Sequence, residues 1–187
     1  MRSSVQASLI LAILLASCTD NATRGPYSLS EALDAGLPLP LYYPDPQADA
    51  QYSRLGATYY YFDLGDELRL DAYFTVEGSN DQLIRVARMS ICTVCTLIGP
   101  PSEATGKQVL IQWAADSKGY TCGVLSDATS KEFVSGDAYQ SCVFWIDKQG
   151  YGYKLYTIWS EDESVAFVNS LRQLSKNDDE NSATPPQ

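Results

Sequence analysis

Histidine is absent from the 187 residues of this chain. Its absence removes the commonest general base, the Ser-His and Cys-His nucleophile pairs, and the usual zinc and copper ligands. Catalysis by paired carboxylates stays open, but most familiar hydrolase mechanisms do not, and nothing in the sequence calls for a cofactor or a metal. Positive charge is scarce: 13 Lys and Arg stand against 23 Asp and Glu, a formal net charge of −10. Such a surface repels phosphate backbones and anionic head groups, which argues against nucleic acid and direct head-group binding. Long apolar runs are also missing. The run Leu9–Ala16 falls well short of the ~20 residues that cross a bilayer as a helix.

That short run has a use of its own. Arg2 precedes it and the small residues Ala16 and Ser17 follow it, so residues 1–17 have the three parts of an export signal. Leu15-Ala16-Ser17-Cys18 resembles the lipobox of bacterial lipoproteins, matching it at every position. In that family a diacylglyceryl group is joined to the cysteine sulfur, the signal is cut just before it, and the new amine is acylated. The resemblance makes Cys18 the lipidated mature N-terminus. It implies a domain held outside the cytoplasm on the cell membrane or the outer membrane. Two or three acyl chains at one residue anchor firmly where a single chain does not. Thr19 stands where an aspartate often marks inner-membrane retention, which favours the outer membrane if the host has one. Loss of residues 1–17 removes only Arg2 among charged groups and takes the net charge from −10 to −11.

Residues 18–27, polar and broken by Gly25-Pro26, read as a tether. Residues 28–174 then form a single globular domain, large enough to bury a core without staples. Residues 175–187, polar, acidic and proline-ended, read as a disordered tail. Within the domain, Ser28-Leu29-Ser30-Glu31 has capping-box spacing, and Gly36 and Pro38 predict a helix stop after Ala35. Leu37–Pro46 is proline-rich and must be extended. Leu55–Leu64, the turn Asp63-Leu64-Gly65-Asp66 and an alternating run through Phe74 predict a β-hairpin. Gln82–Cys95 fits a strand better than a helix because Ile91, Thr93, Val94 and Thr96 are β-branched. Further strands are expected at Gln108–Ala114, Tyr120–Leu125, Ser141–Ile146 and Gly152–Ile158. Ser117-Lys118-Gly119 and Lys148-Gln149-Gly150 read as turns. Ser160 and Glu163 form a second capping box, opening a helix with Val165, Phe167, Val168, Leu171 and Leu174 on one stripe. The expected fold is α+β: a mostly antiparallel sheet with one or two helices packed on one face.

Part of this pattern resembles a known family. Val143-Phe144-Trp145, a glycine turn, Tyr153-Lys154-Leu155 and Glu163 to Ser170-Leu171 resemble a domain of unknown function in bacterial lipoproteins and anti-sigma-factor ectodomains. Ser28–Ala35 followed by Leu39-Pro40 to Pro44 resembles the opening of that domain. The resemblance implies an antiparallel sheet backed by helices and carries over no catalytic residue.

Four cysteines remain: Cys92, Cys95, Cys122 and Cys142. An even number in an oxidising compartment predicts two disulfides. Cys122 and Cys142 sit in neighbouring predicted strands, which suits Cys122–Cys142. Cys92 and Cys95 would point to opposite faces of a straight strand, so either the chain bends at Thr93-Val94 to close Cys92–Cys95 or each reaches a different strand. The expected pairing is Cys92–Cys95 with Cys122–Cys142. A redox-active Cys-x-x-Cys is the sharper reading, but such sites sit at a helix N-terminus after a strand, and Gly99-Pro100-Pro101 follows here instead.

Two acidic clusters could hold calcium or act as carboxylate pairs: Asp63, Asp66 and Glu67, and Glu161, Asp162 and Glu163. Turn and cap roles explain them better. The 13 tyrosines and three tryptophans suit a β-rich domain. Tyr42, Tyr43, Tyr59, Tyr61, Trp113, Trp145 and Trp159 could form a face for sugars or peptides, or simply pack the sheet. The expected function is that of a membrane-anchored envelope lipoprotein with a non-enzymatic binding or assembly role toward a protein or glycan partner. Carbohydrate or peptidoglycan binding through exposed Tyr and Trp is the alternative, and thiol-disulfide exchange a third.

Overall fold

The computed structural model describes residues 22–45, 52–78, 82–93, 106–114, 117–122 and 139–175. The lipobox with Cys18, Cys95 and the tail beyond Ser175 lie outside them.

Both capping boxes form as the sequence predicts. The Ser28 side chain accepts from Glu31 N at 3.3 Å, and Glu31 Oε2 accepts from Ser28 N at 2.7 Å. This closes the first turn of α1 (Leu29–Ala35), which ends at Gly36 in the left-handed region, φ 60°. Ser160 and Glu163 repeat the arrangement at α2 (Glu161–Ser170). Hydrogen bonds to Ser28 and Ser160 hold the Glu31 and Glu163 carboxyls below their ordinary pKa.

The strands are β1 (Ala22–Tyr27), β2 (Leu41–Pro44), β3 (Gly56–Asp63), β4 (Leu68–Glu77), β5 (Leu83–Cys92) and β6 (Gln108–Ile111). After them come β7 (Ser117–Thr121), β8 (Ser141–Ile146), β9 (Gly152–Thr157) and β10 (Leu171–Leu174). Eight of them form an open sheet in the order β1-β3-β4-β5-β9-β8-β7-β6, while β2 and β10 make a two-stranded ribbon. Every pairing is antiparallel.

Register explains the core. Tyr59, Ala72, Met89, Leu155 and Val143 are successive cross-strand partners, and Tyr61, Leu70, Ile91, Tyr153 and Trp145 form the next row. Partners in register share a face, and both rows are buried. Ala32 and Leu33 of α1, Phe167 and Val168 of α2, and Leu41 and Leu171 of the ribbon belong to the same cluster. Phe167 alone meets Tyr52, Phe74 and Trp159 rings at 5.1–5.2 Å; truncating it to alanine should cost about 3–5 kcal/mol.

A buried hydroxyl knot fixes α2 to the sheet. Ser164 Oγ donates to Ser160 O at 2.7 Å and lies 2.5 Å from Ser141 Oγ and 2.6 Å from Thr157 Oγ1. With its one proton committed, Ser164 accepts from both neighbours.

Three boundaries differ from expectation. Ala22–Tyr27, read as part of a tether, is edge strand β1, paired with β3 through Ala22↔Asp63 and Tyr27↔Tyr59. Its side chains are mostly exposed, so its sequence looks like a linker although its backbone is paired. The turn expected at Ser117–Gly119 falls earlier, at 112–114, and Ser117–Thr121 is strand. A Cβ at Gly119 would stand 3.0 Å from Ile111 Cδ1, so the residue lies in close contact with its neighbour strand. Leu171 and Leu174, expected on the last helix, lie in β10, where the backbone pairs with Pro44 and Leu41 of β2.

The outer strand β6 is closed by a side chain. Asn169 of α2 accepts from Gln112 N at 2.9 Å and donates to Leu110 O at 3.3 Å.

Candidate functional site

Among the sequence-predicted residues, Cys122 and Cys142 are brought together. Cys122 N donates to Cys142 O at 3.0 Å, their Cα atoms are 5.2 Å apart, and the sulfurs are bonded. Cys92 is fully buried and disulfide-bonded. The expected Cys92–Cys95 pairing involves Cys95, which lies outside the described residues.

Of the acidic clusters, Asp63, Glu161 and Glu163 take up structural positions. Asp63 Oδ1 accepts from Gly65 N at 3.1 Å, shaping the β3–β4 turn. Glu163 is the capping partner already described, and Glu161 Oε1 accepts the Thr121 hydroxyl at 2.5 Å, joining α2 to β7. Among the described residues no group of three or more Cys, Asp or Glu is placed to hold a metal ion.

The aromatic set divides. Tyr42, Tyr59, Tyr61 and Trp145 are buried, whereas Tyr43, Trp113 and Trp159 are half-exposed. Trp113 lies in the turn after β6, where its indole N–H donates to Val168 O of α2. Its ring is backed by Tyr42 at 4.7 Å, Trp145 at 5.6 Å and Tyr153 at 6.0 Å. A ring held at its N–H and on its inner sides is a fixed platform.

Below that platform runs a chain of polar contacts. The Tyr42 and Tyr153 hydroxyls are 3.3 Å apart, and Tyr153 donates to Asp147 Oδ2 at 2.7 Å. Asp147 Oδ1 accepts from Gln149 N at 2.8 Å and Tyr151 N at 3.0 Å, which sets the β8–β9 turn. Burial raises the Tyr42 and Tyr153 pKa values, so both phenols stay protonated as donors.

These elements border a cleft of about 420 Å³, lined by Tyr42, Trp113, Asp147, Lys148, Gln149 and Arg172 among others. A second cavity of about 340 Å³ shares Gln149 and Gln173 with it and continues toward Pro38, Pro40 and Tyr151. Arg172 brings a buried Nε that has no hydrogen-bond partner. The cleft therefore offers a flat aromatic surface, two cations, and two glutamine amides at the junction. This is equipment for binding a polar ligand.

Sequence reasoning singled out Tyr42 and Trp113 but missed Lys148, Gln149, Arg172 and Gln173. Lys148 and Gln149 read as turn residues. Arg172 and Gln173 were hidden inside a run read as helix, and only the β2–β10 pairing places them beside Tyr42 and Tyr43.

No family model matches the chain, and no curated protein or solved structure matches it either.

Proposed function

We propose that the protein is a lipid-anchored envelope lipoprotein whose domain binds a ligand or partner through the Trp113–Tyr42 cleft, without catalysis. The cleft is the observation that carries the binding role. The anchoring role rests on Leu15-Ala16-Ser17-Cys18. The described residues supply the cleft with cations, amides and aromatic rings. Asp147, the one carboxylate among its described lining residues, already accepts from Tyr153 and two backbone N–H groups.

Anchor and cleft are related in space. Four residue steps separate Cys18 from Ala22, the first residue of β1, a reach of at most about 14 Å. Ala22 pairs with Asp63, and Cys92 and Gly152 are partners at the same end of the sheet. The β8–β9 turn that borders the cleft thus lies at the end where the tether enters. On this reading the cleft works close to the bilayer surface.

Two measurements test the proposal. Labelling with a radioactive fatty acid should mark the wild type and not Cys18→Ser, which should leave the membrane or stay unprocessed while keeping its melting temperature. A photo-crosslinker at Gln149 should capture material at the membrane, and one at exposed Leu83, on the opposite end of the sheet, should not. Equal yields from the two positions would refute binding through the cleft, and an unlabelled wild type would refute the anchor.

A further inference from the structure

We infer that the cleft takes a saccharide that carries a carboxylate. This rests on the proposed binding role of the cleft and names its ligand class.

The aromatic wall selects the ring. Trp113 is half-exposed at the cleft and fixed by its N–H bond to Val168 O and by three neighbouring rings. A rigid indole binds the flat C–H face of a pyranose with little loss of conformational entropy. Gln149 and Gln173 stand where the two cavities join, and each amide both donates and accepts, as hydroxyl and acetamido groups require. The adjoining cavities give room beyond one sugar ring.

The cations select the charge. In a chain of formal net charge −10, the described residues that line the cleft include Lys148 and Arg172 against a single carboxylate. Asp147 spends both oxygens on Tyr153, Gln149 N and Tyr151 N, and it forms no ion pair with either cation among the described residues. Arg172 lines the cleft with its side chain part-buried. A carboxylate there would take its two terminal guanidinium nitrogens together, the fork geometry that arginine offers and lysine lacks.

The test uses the mature lipidated chain in detergent, with tryptophan fluorescence and titration calorimetry. The acidic probes are trigalacturonic acid and the disaccharide of N-acetylglucosamine and N-acetylmuramic acid. Galactotriose and chitobiose are their neutral counterparts. An acidic probe should bind at least about tenfold more tightly than its neutral counterpart, the scale of one hydrogen-bonded charge. Arg172→Lys, which keeps the charge and loses the fork, should weaken that preference at unchanged melting temperature, and Arg172→Gln combined with Lys148→Gln should abolish it. Equal binding of acidic and neutral probes would overturn the carboxylate assignment and leave the cleft as a sugar site. If no probe binds while crosslinking from Gln149 still succeeds, the saccharide class is wrong and the binding role stands. If crosslinking fails as well, both fall.

Discussion

Replacing Asp71 by asparagine should destabilise the domain by about 3 kcal/mol. Asp71 lies on the sheet face opposite the core rows, yet its side chain is only 1% exposed. Its Oδ2 accepts from Arg88 Nη2 at 2.9 Å and sits 3.4 Å from Arg69 Nη2. Burial by itself would lower the Arg88 pKa, but the Asp71 charge beside it holds the guanidinium above its ordinary value. Removing one partner of a buried ion pair costs about 3–5 kcal/mol, mostly because the other charge is left uncompensated. The lower end applies because the Arg69 side chain is 27% exposed and its guanidinium also lies 4.3 Å from the Phe62 ring. For a domain of this size that corresponds to a melting temperature lower by about 6–12 °C. The assay is urea unfolding followed by tryptophan fluorescence with disulfides intact, read as a shift in midpoint at constant slope. Pairing Asp71→Leu with Arg88→Met removes both charges and should recover much of the loss. A loss below about 1 kcal/mol for Asp71→Asn would refute the reasoning, since it would put the pair in the class of solvent-screened surface bridges.

Three further outcomes are expected. Removing the Cys122–Cys142 bridge with a pair of alanines opens a loop of sequence separation 20 and should cost about 3 kcal/mol in the same urea assay; no change in midpoint would show the bridge to be dispensable. Burial raises the Tyr156 pKa to about 12 and holds Tyr59 and Tyr153 well above the usual phenol value. Because these folded-state values exceed the unfolded one, their stabilisation is complete below pH ~10 and is lost as pH rises from there toward 12 and beyond. Phenolate absorbance of these residues should therefore appear together with unfolding, and phenolate formed in a still-folded domain would contradict it. Asn169→Ala should raise amide exchange at Gln112, its hydrogen-bond donor, and unchanged exchange there would mean that the contact is not formed in solution.

How much of this could be read beforehand depends on where each element finds its partners. The two capping boxes, the β3–β4 hairpin and the strands β8 and β9 were legible because their signals are local: a serine and a glutamate three apart, a glycine turn, a run of alternating side chains. Strands β1 and β10 were not, because their backbone bonds come from β3 and β2, far along the chain. Polar side chains on a paired edge look the same as a linker. Asp71 shows the same limit at one residue: alternation places it opposite Leu70 and Ala72, but only its packing with Arg69 and Arg88 shows it to be buried. The cleft was half legible. Its rings announce themselves in the sequence, but its cations become neighbours of those rings only through the ribbon.

The Asn169 amide at the rim of β6 has a consequence for crowding. Tethered molecules share a plane, where their effective concentration is far higher than in free solution, and an unguarded strand edge at that density templates growth into fibrils. The side-chain amide occupies Leu110 O and Gln112 N as a neighbouring strand would, and on the opposite rim β1 carries Arg24 and Pro26. Both margins of the sheet are thereby guarded, which on the proposed anchor would disfavour edge-to-edge pairing between neighbouring molecules. Crowded onto supported bilayers, Asn169→Ala should assemble into filaments where the wild type diffuses as single particles.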